Sequence, residues 1–146
     1  MEPHELPLDP DAAAPPGTAH VLSAIAAGGA LGSGGRELVE RLVPVVGGFP
    51  WPTFLVNVTG ALLIGVLMVV VTDVVTGRPL LRPFLGVGLL GGWTTFSTYA
   101  VEARELLAAG ALPTASAYVL GSLVVGLLAT WAGILATRRL AVGPDR

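Results

Sequence analysis

The 146-residue chain has no cysteine, no lysine and only two histidines. Without cysteine it can form neither disulfides nor thiolate metal sites. The histidines, His4 and His20, both precede the apolar part of the chain, so an imidazole site inside a membrane span is excluded as well. We therefore expect no metalloenzyme chemistry, and no other feature of the sequence predicts an enzyme.

Charge is scarce as well. Charged residues make up 12% of the chain and hydrophobic residues 53%, whereas a water-soluble domain carries about 25% charged residues. The eight basic residues are all arginine and stand against ten acids, so the net charge of −2 argues against nucleic acid as a partner. No run of basic residues suited to lipid headgroups occurs along the sequence. This composition predicts an integral membrane protein surrounded by the lipid bilayer.

Residues 1–20 differ in composition from the rest. They hold five of the twelve prolines, four acids and no arginine, which predicts a disordered, solvated N-terminal tail. A secretory signal begins with a positively charged region, whereas this segment begins with acidic residues. We therefore expect no cleavage.

Four apolar stretches follow the tail, at about 21–43, 53–75, 83–107 and 114–136. A helix needs about 20 residues to cross about 30 Å of hydrocarbon. The connections are short, so neighbouring helices must be antiparallel. We expect an all-α integral membrane protein, multi-pass in the inner (plasma) membrane, with four transmembrane helices over 21–139 and a C-terminal tail over 140–146.

The third stretch is interrupted by the run Gly91–Tyr99, GGWTTFSTY, which places two glycines and four serine or threonine hydroxyls among apolar residues. A broken helix is tolerated at membrane depth only where it is buried in protein or lines a wet cavity. We therefore predict that the third helix is broken near its middle and that the break is the functional site. Freed backbone carbonyls suit a small cation, and the ring edges of Phe96 and Tyr99, beside hydroxyls, suit a small anion.

Three polar side chains in the spans have more than one interpretation. Asn57 forms either a hydrogen bond between helices, worth about 0.6 kcal/mol, or an amide donor for a passing anion. Arg36 has three interpretations: its head group lies at the membrane interface, it donates hydrogen bonds to backbone carbonyls, or it forms an electropositive vestibule. Glu102 marks an ion pathway, because intramembrane acids cost at least about 2.5 kcal/mol, or it pairs with Arg104 or Arg36 near the surface.

Small residues predict where the helices touch. Gly28 and Gly32 stand four apart, as do Gly88 and Gly92, and this spacing lets backbones approach closely. A chain rich in glycine and alanine also produces such spacings by composition alone. The fourth helix is thinned by its own small residues: Gly121, Gly126, Ala129 and Gly133.

The arginine count gives little preference for one orientation. The side with the N-terminus, the second loop and the C-terminus has five arginines and the other side three, so the sequence permits insertion in both orientations. Four helices of this size enclose little volume. A transport pathway is better completed by a second copy or by a related subunit, because closed symmetric dimers are the commonest oligomers.

The run Gly91–Tyr99, with Val56–Gly60 upstream and Gly29–Gly32 before Arg36, resembles the fluoride channel family (Fluc, also called CrcB). The similarity covers nearly everything after residue 20. It implies a passive, fluoride-selective channel that protects the cytoplasm, built as a dual-topology dimer of two antiparallel subunits with two pores at their interface. It also implies a structural sodium ion on the symmetry axis.

The resemblance further implies the site residues. The sodium ion is held by backbone carbonyls at positions that correspond to Gly91 and Thr94. The pore residues correspond to positions on three helices: Asn57, Phe96, Tyr99, Tyr118 and Ser122, with Thr95, Ser97 and Thr98 along the rest. Glu102 follows Phe96 by six residues and Tyr99 by three, which places all three near one helix face. We therefore include Glu102 among the predicted pathway residues. Tyr99 stands where many relatives carry phenylalanine, so conductance and selectivity stay open.

Two other functions stay open. A small four-helix proton-coupled exporter of organic cations needs a carboxylate in the middle of the first helix. Here that helix offers Arg36, and its acids Glu37 and Glu40 lie at its end. Alternatively, the chain is a non-conducting partner subunit of a heterodimeric fluoride channel.

Overall fold

The structure, a computed structural model, describes residues 16–75 and 77–142, and nearly all of these residues are helical. We number the helices in chain order, counting the two halves of the broken third helix as α3 and α4. Short π-helical segments continue α2 and α5 and begin α3. The bounds are α1 Thr18–Leu42; α2 Trp51–Val69, continued by Val70–Val74; α3 Arg82–Leu90 with Gly91–Trp93; α4 Phe96–Ala108; and α5 Leu112–Thr137, continued by Arg138–Val142.

Two boundaries differ from those expected. Helix α1 begins at Thr18, so residues 18–20 are helical instead of belonging to the tail. After Pro16 and Gly17 no residue disfavours a helix, and the first turn extends to that point. At the other end of the chain, helix α5 and its continuation extend to Val142, past the expected start of the C-terminal tail at residue 140. No glycine or proline lies between Gly133 and Gly143 to end the helix earlier. Residues 1–15 and 143–146 lie outside the described residues.

Two pairs of helices pack closely, α1 with α3 and α2 with α5. In the first pair a Cβ on Gly32 would overlap the Leu89 carbonyl oxygen, and one on Gly28 would overlap the Phe84 carbonyl oxygen. A Cβ on Gly88 would lie 3.0 Å from the Gly28 Cα. In the second pair Gly133 meets the backbone of α2 at Leu62. The predicted contacts of Gly28, Gly32 and Gly88 are therefore confirmed. Two glycines of α5, Gly121 and Gly126, make no such close backbone contact.

The third helix is interrupted at Thr94 and Thr95, as its glycines and hydroxyls predict. Helix α3 ends at Trp93, and α4 begins at Phe96. Between them Thr94 has ψ 158° and Thr95 has φ −145° and ψ 121°, which is extended backbone. The interruption removes the normal helical partners of several backbone groups, and these groups must find others.

Two helices of the described ranges are long and apolar enough to span a membrane, Trp51–Val74 and Leu112–Ala141. Of the four membrane spans expected from the sequence, two therefore meet the criteria of length and apolar composition. Helix α1 carries four charged residues in its second half, and the break leaves α4 with only 13 residues. Large apolar side chains such as Leu127 and Trp131 lie exposed on α5, an arrangement suited to lipid and costly in water.

The glycine contacts of α1 can be tested with a matched pair. Gly32→Val should lower the free energy of unfolding by about 2 kcal/mol, because the new side chain meets backbone atoms of α3 that cannot rotate away. Gly34→Val, two residues on, meets no atom within 4 Å and should be tolerated. Thermal unfolding of the purified protein in detergent measures both. Equal unfolding temperatures for the two variants would contradict the packing of α1 on α3.

Candidate functional site

The break is held by the side chain of Asn57 on α2. Its Nδ2 donates to the Thr95 carbonyl oxygen at 3.0 Å, and its Oδ1 accepts from the Thr95 amide at 2.9 Å. Of the two interpretations of Asn57, the structure thus shows the hydrogen bond between helices. One of the two Nδ2 hydrogens suffices for the Thr95 bond, which leaves the other for a further acceptor.

The pairing of Asn57 with Thr95 also takes away the hydrogen-bond donor of the Gly91 carbonyl. In a continuous helix the Thr95 amide would donate to Gly91, but here it donates to Asn57. Gly91 is exposed, and a Cβ placed on it would have no neighbour within 4 Å. The break therefore leaves the carbonyl of an exposed residue without its helical donor.

A hydroxyl cluster begins α4. Thr95 is buried and its Oγ1 accepts from the Thr98 amide at 3.2 Å, which caps the helix N-terminus. The same oxygen lies 3.0 Å from Thr98 Oγ1 and 3.3 Å from Ser97 Oγ. Three predicted pathway residues are therefore brought together, and their hydroxyls are engaged mainly with one another.

Arg36 ties the break to α1. Its Nε donates to the Gly92 carbonyl oxygen at 3.2 Å, and its Nη1 lies 3.2 Å from Glu40 Oε1. Among the three interpretations of Arg36, the tie to a backbone carbonyl is the one observed. Gly92 and Gly91 therefore differ: one freed carbonyl is occupied by a guanidinium, and the other is left open.

Glu102 joins three helices through hydroxyl groups. Its Oε1 accepts from Thr53 Oγ1 of α2 at 3.0 Å, and its Oε2 accepts from the Tyr118 hydroxyl of α5 at 2.7 Å. Both partners are fully buried. The alternative pairing of Glu102 with Arg104 or Arg36 is wrong for the described part of the chain, where the ion pairs involve other acids.

Sequence reasoning did not assign Thr53 to the site. The available signal is its position one helical turn before Asn57, which places both side chains on one face of α2. Gly60 also has a structural role, because a Cβ there would overlap the methyl group of Thr94. Its place in the Val56–Gly60 segment gave no indication of that contact.

Aromatic rings lead inward from the surface. Phe96 is 80% exposed, and its ring centroid lies 5.9 Å from that of Tyr99, with the planes at 38°. Tyr99 lies 5.1 Å from Tyr118, which is fully buried and meets Phe49 edge-on at 5.5 Å. The predicted pair of Phe96 and Tyr99 is thus part of a longer aromatic row, and Phe49 is a member that the sequence did not indicate.

A groove of about 510 Å³ opens between α2, the break and α5. It contains no charged side chain among its lining residues. Most of its hydroxyl and amide groups are already hydrogen-bonded, but Ser122 Oγ is buried and has no partner in the described ranges. Buried hydroxyls are nearly always bonded, so Ser122 indicates a place for a ligand. Seven predicted site residues line the groove: Asn57, Gly91, Thr94, Thr95, Phe96, Tyr99 and Ser122.

The described residues offer few ligands for a metal ion. Across 16–75 and 77–142, no group of three histidine, cysteine, aspartate or glutamate side chains could hold one. Backbone oxygens at the break are the remaining candidates, and they are hard donors that suit alkali and alkaline-earth cations.

The sequence of the chain matches the family model described as CrcB-like protein, Camphor Resistance (CrcB), over residues 23–134. The chain belongs to the CrcB-like family. Two relatives are the fluoride-specific ion channel FluC 1 of Streptomyces coelicolor, 47% identical over 84% of this chain and 80% of the relative, and FluC 2 of Nocardia farcinica, 49% identical over 85% and 89%. FluC 2 of Streptomyces avermitilis is 51% identical over 73% of this chain and 68% of its own length.

Membership of the CrcB-like family makes the chain a membrane protein, in agreement with its composition and its two long apolar helices. The relatives carry the name of an ion channel and not of an enzyme. The family that the Gly91–Tyr99 run indicated is therefore confirmed, and the similarity extends over most of the chain.

The Glu102 network can be tested by two replacements of nearly equal size. Glu102→Leu leaves the buried hydroxyls of Thr53 and Tyr118 without their partner and should destabilise the fold by about 2–4 kcal/mol. Glu102→Gln keeps an acceptor oxygen for one hydroxyl but offers the other an amide donor in place of an acceptor, so it should cost about 1–2 kcal/mol, less than the Leu variant. Unfolding in detergent followed by tryptophan fluorescence compares them. A Gln variant as unstable as the Leu variant would show that the negative charge itself holds these helices.

Proposed function

We propose that the chain is a fluoride-selective channel through which fluoride leaves the cytoplasm passively. The observation that carries the proposal is the orphan hydroxyl of Ser122 in a groove without charged side chains. The names of the relatives, fluoride-specific ion channels, support the identity of the ion.

The chemistry of fluoride explains why such a groove is suitable. Fluoride is small and strongly hydrated, so a selective path must replace lost water with hydrogen-bond donors and still bind weakly enough for exit. A positively charged side chain in contact with the anion would hold it too tightly. Here the donors are neutral: the Ser122 hydroxyl, the second Nδ2 hydrogen of Asn57, and the positive ring edges of Phe96 and Tyr99.

Beyond the groove, the path continues along side chains that are now hydrogen-bonded to one another. The hydroxyl cluster lies at the start of α4, and the Glu102 network lies further along the same helix. An anion that advances would exchange these internal bonds for bonds to itself. The proposed pathway residues at these two places are Thr95, Ser97, Thr98, Glu102 and Tyr118.

A second copy completes the proposed pathway. Phe96 is largely exposed in the protomer, and the groove is open along one side. Two antiparallel copies, or one copy with a related subunit, would cover Phe96 and enclose two grooves. The nearly balanced arginine count permits the opposite insertion of the two subunits in the plasma membrane.

The break also fits a structural sodium ion. The Gly91 carbonyl has lost its helical donor and belongs to an exposed residue, and Thr94 is the first residue with extended backbone after it. One protomer supplies two such oxygens, and two protomers would supply four hard ligands. When bound, sodium would supply a fixed positive charge on the dimer axis and hold the two breaks together.

The exporter alternative gains no support from α1. Its acids are engaged in ion pairs near the helix end, Glu40 with Arg36 at 3.2 Å and Glu37 with Arg41 at 2.8 Å. The partner-subunit alternative predicts a chain that is silent by itself and active when mixed with a relative.

Flux through purified protein in sodium-loaded liposomes tests the channel. Fluoride efflux should greatly exceed chloride efflux, and Phe96→Ile or Asn57→Asp should each lower it at least about tenfold, a factor that corresponds to about 1.4 kcal/mol of lost stabilisation. Phe84→Ile is the matched control, because Phe84 lies on α3 outside the groove. Fluoride-selective electrodes measure the rates.

Three results would decide against parts of this proposal. Equal fluoride and chloride rates would reject the selective groove. An unchanged rate in the Phe96 variant would remove the aromatic pair from the path. A silent chain that conducts only with a relative present would establish the partner-subunit function instead.

Sodium removal tests the second part. When sodium is replaced throughout purification by N-methylglucammonium, a cation too large for a site between carbonyls, the dimer should dissociate in detergent and fluoride flux should fall at least about tenfold. Readdition of sodium should restore both. A sodium-free dimer of normal stability and flux, verified by elemental analysis, would contradict the site at Gly91 and Thr94.

A further inference from the structure

Four arginines gather at one end of the helix bundle, although no basic run exists in the sequence. Arg78 and Arg82 follow α2, Arg138 and Arg139 follow α5, and the π-helical segments that end these two helices contact each other. All four arginines are exposed. The ion pairs of the described residues lie elsewhere, at the end of α1 on the opposite side of the bundle.

The ion pairing of the described residues differs between the two ends. At the α1 end, Arg36 and Arg41 are each neutralised by a glutamate one turn away. At the arginine-rich end, Asp73 is the single acid among the described residues of that end. In the described ranges neither Arg78 nor Arg82 takes part in an ion pair, so both guanidinium groups are available to an anion at the membrane surface.

A crevice of about 550 Å³ opens beside two of these arginines. Its lining combines Arg78, Arg82 and Thr72 with the apolar side chains of Val71, Val75 and Leu81. Guanidinium groups bind phosphate oxygens in a paired geometry, so the crevice suits a phosphate with an apolar neighbour.

A second, apolar crevice of about 190 Å³ lies between the same two helices, nearer the middle of the bundle. It is open because α2 packs closely on α5 and α3 on α1, while α2 and α3 meet only loosely. On α2 it uses a different face from the groove, which is lined by Gly60, Ala61 and Ile64. The residues of the apolar crevice are Leu63, Val66, Leu67 and Val70 of α2, and Leu85, Leu89 and Leu90 of α3.

We propose that this seam between α2 and α3 binds an anionic phospholipid. The phosphate lies against Arg78 and Arg82, and one acyl chain occupies the apolar crevice below them. The two-part lining decides in favour of an amphiphile, because a free phosphate would use only the arginines and a neutral lipid only the apolar part. The proposal does not rest on the proposed ion pathway, although Leu90 lines both the groove and the apolar crevice.

Native mass spectrometry of the delipidated full-length protein tests the proposal. The protein is incubated with phosphatidylglycerol, with phosphatidylcholine of the same acyl chains, and with glycerol 3-phosphate. Phosphatidylglycerol should be retained most strongly, and R78Q/R82Q should weaken its retention about 30-fold, since each arginine near the surface contributes about 1 kcal/mol. The matched control is Arg104→Gln, an exposed arginine at the opposite end, which should retain the lipid like the wild type.

A second pair of variants tests the acyl position. Leu63→Trp adds bulk at the rim of the apolar crevice and should reduce retention of phosphatidylglycerol at least about tenfold. Leu128→Trp adds the same bulk on the exposed face of α5 and should have no effect. Undiminished binding in R78Q/R82Q or in Leu63→Trp would overturn the proposal. Equally strong retention of glycerol 3-phosphate would overturn it too, because it would show a phosphate site without a lipid.

Discussion

The structure depends on one constraint: a helix can be interrupted at membrane depth only if other groups replace its lost hydrogen bonds. Asn57 meets this constraint by presenting a side-chain amide to the backbone of Thr95, with one bond in each direction. These two bonds between helices replace backbone hydrogen bonds that the third helix loses at its interruption. A hydrophobic side chain at this position would leave a buried donor and a buried acceptor unsatisfied, at about 1–3 kcal/mol each.

The constraint also sorts the backbone groups at the break into occupied and open ones. Arg36 occupies the carbonyl of Gly92, and Asn57 occupies both groups of Thr95, whereas the amide that Gly91 would have received is used elsewhere. Gly91 is exposed, so this carbonyl belongs to a residue at the surface of the protomer. A cation site and a neutral anion path can therefore share one interruption, since each uses different atoms of it.

The sequence predicted the features that depend on local chemistry. The interruption follows from glycines and hydroxyls in an apolar run, and the close approach of α1 and α3 follows from glycines four residues apart. It could not choose between interpretations that depend on distant partners. Whether Glu102 meets an arginine or a hydroxyl is decided by Thr53, which is 49 residues away, and by the rotation of α5 that brings in Tyr118. The arginine-rich end likewise forms only when two helix ends meet.

Helix α2 is the common wall of the two sites. Asn57 and Gly60 face the groove, while Leu63 and Leu67 face the seam. Since glycine contacts fix α2 to α5 and α3 to α1, the two tight pairs behave as units that meet at the break. Three side-chain contacts join α2 to the broken third helix: Asn57 with Thr95, Thr59 with Trp93 Nε1, and Thr53 with Glu102. The groove and the seam therefore use different faces of α2, and on α3 they share Leu90, which lines both.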